Sequence, residues 1–344
     1  MTDDQGFLHE VYSAFGGIAA FAQHRLAEHR LNQERLALLR DSIEQVVDAS
    51  EPRIRLVGNY AEKLLDAVEI GQRHCDGLLR HLPPALTLAG RAWAMDPRVN
   101  AFFATTDSLR TTLGLDPQVR AFFKESGRTE CFALLLMVKR ETETFGPTLE
   151  NSLLVRDVRQ IRVSFSNHQL FFPAASESEL RQELRRRMLV FLASRALERI
   201  NELRERRGTL EEQRRQLQAQ LQALRGHAQG LRPLLSATDA DERRRAELEQ
   251  RLSQTEGELI VARKQLGTLD DYLDQVQQVI GHPETYLQLH PLALRLNRLG
   301  VKLAPDSPEP GETITLIELA SLGEQRIGAL VRFSRDELPL AETD

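Results

Sequence analysis

The stretch Leu203-Arg204-Glu205-Arg206-Arg207-Gly208-Thr209-Leu210-Glu211-Glu212-Gln213-Arg214-Arg215-Gln216-Leu217 sets leucine at every seventh position among arginine, glutamate and glutamine. The spacing extends back through Ala196 to Leu189 and forward through Leu224 to Leu231. A partial second seam, offset by four, runs Ala193, Ile200, Arg207, Arg214, Leu221, Ala228. Apolar residues recurring about every 3.5 positions keep one helical stripe turned to a partner, which is what a coiled coil requires. A second run repeats the pattern with Leu252, Leu259, Leu266, Leu273 and Ile280, beside Leu248, Thr255, Ala262, Leu269 and Val276.

Proline ends a helix because it lacks the N–H and clashes with the preceding turn. Pro173, Pro233 and Pro283 therefore bound two predicted helices, about 175–231 and 240–281. The join at 232–239 is short, with Thr238 or Asp239 available as an N-cap, and short joins make antiparallel hairpins. Folding about it pairs Leu224 with Leu248, Leu210 with Leu259 or Ala262, and Leu189 with Ile280. Helices of about 40 residues would give an arm of roughly 60 Å. The candidate interaction seam is Leu203, Leu210, Leu217, Leu224, Leu252, Leu259, Leu266 and Leu273; the plainer alternative is a hairpin inside a larger bundle. Residues 176–282 carry 19 basic and 18 acidic groups, the balance of a solvated face.

Working outward, residues 6–47 and 53–80 show apolar spacings of three and four, which predict two amphipathic helices. Ser50 stands as N-cap and Pro52 in the first turn of the second. The sequence Asp96-Pro97-Arg98-Val99-Asn100-Ala101-Phe102-Phe103 is echoed by Asp116-Pro117-Gln118-Val119-Arg120-Ala121-Phe122-Phe123. Asp-Pro starts helices, so two short helices docking alike on a core are expected.

From Cys131 the pattern becomes strand-like. Residues 131–145 and 155–165 read as strands, with turns at Gly146-Pro147 and at Ser166-Asn167-His168-Gln169 before Leu170-Phe171-Phe172 returns. Residues 286–299 read as a helix. Residues 313–319 and 326–333 read as a hairpin around Gly323. The fold class expected is α+β, predominantly α-helical: a mixed helical body with small antiparallel β elements and a long antiparallel coiled-coil hairpin. Its parts are a helical region at 1–130, a β-rich segment at 131–174, the hairpin arm at 175–282, and a helix plus β-hairpin at 283–344. The sequence does not say whether the two strand groups share a sheet.

Composition narrows the function classes. The 344 residues are 41% hydrophobic and 28% charged with a net charge of −5, too apolar for wholesale disorder and too acidic for a general nucleic-acid coat. Cys75 and Cys131 form no CxxC pair, so neither a disulfide framework nor cysteine-bound zinc is expected. The acidic start lacks the positive charge of a secretory signal, and the uncharged run at 11–24 is shorter than the roughly 20 residues of a membrane span. A cytoplasmic setting without a transmembrane segment follows. Forty arginines against five lysines is a bias associated with GC-rich, bacterial genomes.

No glycine precedes a lysine, no G-x-G occurs, and neither a G-x-S-x-G elbow nor H-E-x-x-H is present. No cofactor is implied. His74-Cys75-Asp76 and the set His282, Glu284, His290 hold metal-capable atoms, but helix neighbours point apart. Glu141, Glu143 and Asp157 could face each other across strands as paired carboxylates, against the plainer reading of solvated strand edges. Arginine runs lie at Arg185-Arg186-Arg187, at Arg204, Arg206 and Arg207, and at Arg243-Arg244-Arg245. They lack the interleaved aromatics that stack on bases. The leading expectation is a non-enzymatic scaffold or adaptor that binds a protein partner, or itself, through the coiled coil. The alternative is an accessory subunit of a DNA-processing or defence complex, touching nucleic-acid backbone through Arg185, Arg186, Arg187, Arg243, Arg244 and Arg245. An enzyme with an unrecognised site, or membrane-surface attachment through 7–24, would be further readings.

Overall fold

A computed structural model of the chain describes residues 30–150, 153–228, 239–321 and 324–339. The apolar run at 11–24, most of the join at 232–239 and Gly323 lie outside these described residues. In chain order the elements are α1 (30–49), a 3-10 turn (Pro52–Leu56), α2 (Tyr60–Arg80), β1 (Leu86–Thr87), α3 (Gly90–Met95), α4 (Pro97–Phe102), α5 (Thr106–Leu115) and α6 (Pro117–Ser126). Then come β2 (Glu130–Glu150), β3 (Leu153–Ala174), α7 (Glu177–Ala228), α8 (Asp239–Gln265), α9 (Leu269–Gly281), β4 (His290–Leu296), β5 (Glu312–Ser321) and β6 (Glu324–Ser334). The fold is α+β. The chain divides into two compact units, Met1–Arg73 with Leu189–Tyr286, and His74–Met188 with Leu287–Asp344.

The first unit is helical. Ile43, Val46 and Val47 of α1, Leu64 and Val68 of α2, Leu192, Ala196 and Ile200 of α7, and Val276 and Ile280 of α9 are fully buried. Residues 53–80 do not form one helix. The 3-10 turn ends at Leu56, and Gly58 and Asn59, the latter at φ 56°, reset the chain before α2. Ser50 is not an N-cap: its hydroxyl donates back to the Val46 carbonyl at 2.7 Å, closing α1. The helix expected over 240–281 is likewise broken. A Cβ on Gly267 would stand 2.7 Å from the Arg263 carbonyl oxygen. Thr268 and Asp271 then cap each other reciprocally and start α9.

The second unit is built on a six-stranded sheet of order β3-β2-β6-β5-β4, antiparallel along that path, with β1 added in parallel to β6. Both strand groups thus belong to one sheet, and its strands are longer than the small elements expected. β2 pairs with β3 from Phe132 to Glu150 and with β6 from Glu130 to Val138. The sheet curls until its end strand β3 meets the turn after β4. There Val163 donates to the Gly300 carbonyl and Lys302 to the Ile161 carbonyl, both at 2.8 Å.

Neither predicted turn inside the strand region exists. Asn167 is left-handed (φ 53°), but here a single left-handed residue makes a bulge and not the expected turn. The β2–β3 register slips by one residue at three places, and β3 holds Asp157, Asn167 and Phe172 at positive φ in them. Pro147, opposite the first slip, loses no ladder bond there. Residues 290–296 are a strand and not a helix. Leu292, Leu294 and Leu296 alternate inward and Pro291 sits in the pairing with β5, a pattern of period two.

α4 to α6 pack on the sheet. Asp96 accepts from the Arg98 amide, and Asp116 from the amides of Gln118 and Val119, with proline at the first helical position each time. The repeated motif is thus a repeated docking device. Val99, Phe102 and Phe103, and Val119 and Phe123, join Leu135, Met137, Ile327 and Val331 in one apolar core.

Candidate functional site

The leucine seam is the candidate interaction site. On α7, Ile200, Leu203, Leu210 and Leu221 are buried, with Arg207, Arg214, Leu217 and Leu224 half-buried between them. On α8 and α9, Leu248, Thr255, Leu259, Ala262, Leu266 and Leu273 are buried and Leu252 is half-buried. These positions step by alternating threes and fours from 200 to 224 and from 248 to 266, with Leu273 a further seven on. Leu210, Leu259 and Ala262 form one apolar cluster. Arg207 donates to the Leu266 carbonyl at 3.0 Å, and Arg263 reaches Glu211 at 3.3 Å. Arg207 thus meets residue 266 and Glu211 residue 263, so the partner's number falls as the α7 number rises.

Two polar groups sit in the seam. Thr255 satisfies itself by donating to the Arg251 carbonyl at 2.9 Å. The Arg214 Nε is buried with no hydrogen-bond partner among the described residues. Outside the seam, Ile260 and Val261 are 59% and 58% exposed.

Where α7 begins its seam, Glu51 is 8% exposed. It accepts from Arg53 at 2.8 and 2.9 Å and from Arg204 at 3.1 Å. Both guanidinium carbons stand 5.7 Å from the Tyr272 ring centroid. The hydrogen bond from Arg53, with both cations near, holds the Glu51 carboxyl below its ordinary range despite burial. No sequence pattern marked Glu51, because its partner Arg204 lies 153 residues away.

The arginine runs are largely committed elsewhere. Arg185 pairs with Asp76 at 3.5 Å, and Arg186 and Arg187 with Glu183 at 2.9 and 2.7 Å. Arg187 also lies over Phe172, 5.1 Å from its ring centroid. Arg245 pairs with Glu249 at 2.9 Å, while Arg243 and Arg244 are exposed.

The candidate chemical clusters are not assembled. His74 Nε2 lies 2.9 Å from the Leu287 carbonyl, Asp76 faces Arg185, and burial pushes the Cys75 thiol up to about 12. Cys131 is pushed up to about 12 in the same way. His282 Nδ1 lies 3.7 Å from Glu284, and His290 stands exposed in β4. Burial would raise Glu141, but Lys139 and Lys302, each at 3.3 Å, hold it below the ordinary carboxylate range. Glu143 is paired with Arg159, and Asp157 occupies a bulge. Among the described residues no group of three metal-capable side chains converges, and no helix is long and apolar enough to cross a membrane. Compared with known protein families, characterised proteins and solved structures, the chain matches none.

Proposed function

We propose that the protein is a non-enzymatic scaffold or adaptor, in which α7 and α8 form an antiparallel coiled-coil hairpin that engages a protein partner or a second copy of the chain. The observation carrying this reading is burial at heptad spacing on both helices, together with the shared cluster of Leu210, Leu259 and Ala262. Exposed Ile260 and Val261 beside that cluster are apolar surface of the kind a partner covers. The nucleic-acid reading draws less support, since Arg185, Arg186, Arg187 and Arg245 already face carboxylates. An enzymatic reading finds an apolar filling in the sheet interior where a polar pocket would be needed.

The test replaces residues 214–257 with a short glycine linker and separately makes Ile260→Glu with Val261→Glu. Light scattering gives the mass of each variant, and affinity purification followed by mass spectrometry gives its partners. Loss of self-association or of a defined partner in both variants is the expected result. Unchanged mass and unchanged partners in both would sink the reading, and salt-dependent retention on DNA would favour the alternative.

A further inference from the structure

β5 pairs with β4 along Glu312–Glu318, but with β6 only from Ile317 to Ser321. Beyond that point the two strands part. On the side β5 has left, Val331 and Arg332 of β6 take Leu86 and Thr87 of β1. In an antiparallel ladder alternate residues direct their N–H and C=O to opposite edges. The 312–316 stretch therefore offers backbone donors and acceptors on its second edge, and no strand among the described residues takes them. Unpaired edges of this kind are templates for another chain.

The gap at that edge is roomy and chemically marked. It opens as a cleft of about 800 Å³ between 312–315 and residues of α3 and α4. Thr313 and Thr315 line it from the strand and are exposed. Met95, 85% exposed, supplies apolar surface across from them. The two arginines in the wall differ. Arg98 is held by Asp96 at 2.8 and 3.1 Å, whereas Arg91 is exposed with no acidic partner among the described residues. Glu312 also lines the cleft and lies in the field of Arg98, so an incoming strand finds a backbone ladder, an apolar contact and, in Arg91, one cation without an acidic partner among the described residues.

We propose that this cleft is a strand-addition site, in which an extended, acidic segment of a partner protein pairs with the 312–316 edge of β5 and sets a carboxylate against Arg91. Main-chain bonds supply the affinity in such recognition and side-chain pockets the specificity. A charge-assisted bond to arginine is the stronger kind and selects an acid. The site stands independently of the α7–α8 reading and would give the protein a second attachment point.

The probe is a spot array of peptides of about five residues, the span of the free edge, built from Asp, Val, Thr and Ser in every order. The full chain is applied to it. Binding should concentrate on Asp-containing sequences and fall at least about tenfold with Arg91→Glu, a change at an exposed side chain. It should also vanish when alternate peptide nitrogens are methylated, and hydrogen exchange at 312–316 should slow with the best peptide bound. Thr313→Pro should block pairing directly; should it unfold the chain, Arg91→Glu still decides. Binding indifferent to Arg91→Glu or to N-methylation would overturn the proposal. So would an absence of bound spots, or a dimer in which those amides are already protected by a second copy.

Discussion

Glu51 is buried and His168 half-buried, and the fold has biased the ionisation of both in ways that can be measured. Glu51 needs its charge, since Arg53 and Arg204 surround it. Its folded pKa lies below the value of 4.5 expected for a free glutamate. The stability it contributes is therefore present above that value and lost as pH falls through the folded pKa. Glu51→Gln should cost about 1–3 kcal/mol at neutral pH. The difference from the parent should shrink in urea titrations below about pH 4. His168 needs the opposite state. It stacks on Phe103 at 4.6 Å between ring centroids, and its Nε2 lies 2.8 Å from the Phe102 carbonyl. Burial disfavours its cationic form and lowers its pKa. The neutral ring contributes stability above the unfolded value of about 6.5, lost as pH falls through the lower folded value. The stability gap between parent and His168→Gln should accordingly narrow between about pH 7 and pH 5. A gap independent of pH would contradict this account.

At the scale of elements, the β3 bulges and the helix glycines carry the sharpest expectations. Asn167→Gly keeps the left-handed backbone without its Cβ cost and should leave stability unchanged or slightly raised. Asn167→Val puts a β-branched residue where φ is 53° and should cost about 1–3 kcal/mol in thermal unfolding. Two helical glycines should respond in opposite ways. A Cβ on Gly71 would meet Ile280 Cγ2 at 3.1 Å and Leu189 Cδ2 at 3.3 Å, whereas one on Gly208 meets nothing within 4 Å. Gly71→Leu should destabilise by about 1–3 kcal/mol through overpacking. Gly208→Ala should stabilise by up to about 1 kcal/mol through helix propensity. The helices over the leucine repeats were legible because burial there follows a period near 3.5. So were the Asp-Pro starts, because a cap is a local interaction. Residues 286–299 misled because a leucine-rich run with spacings of two and three fits a buried strand or a helix face. The Gly267 break was hidden because one glycine among heptads looks tolerable until its backbone neighbour is known. The β5 edge could not be foreseen at all, since which strand lies beside it is a property of the whole sheet.

At the scale of the whole molecule, the division between units falls inside α2 and α7, and each unit is assembled from two separate stretches of chain. The apolar core of the sheet unit draws only on residues of that unit. Replacing 214–257 with a linker should therefore leave its unfolding midpoint unchanged in hydrogen exchange of the 131–137 amides, even where it abolishes association. A shift in that midpoint would mean that the arm stabilises the sheet. The discontinuity itself was partly visible, as strand-like sequence on both sides of the leucine repeats. The pairing that closes it was not, because no local periodicity encodes which strand meets which.

That pairing sets an order of events during synthesis. Leu134 of β2 bonds across to Leu330 of β6, about 200 residues further along the chain. A ribosome adding about 5–20 residues per second needs roughly 10–40 s to deliver the partner. For that interval the edge of β2 that takes β6 stands open. Residues 175–282 are made entirely within that window.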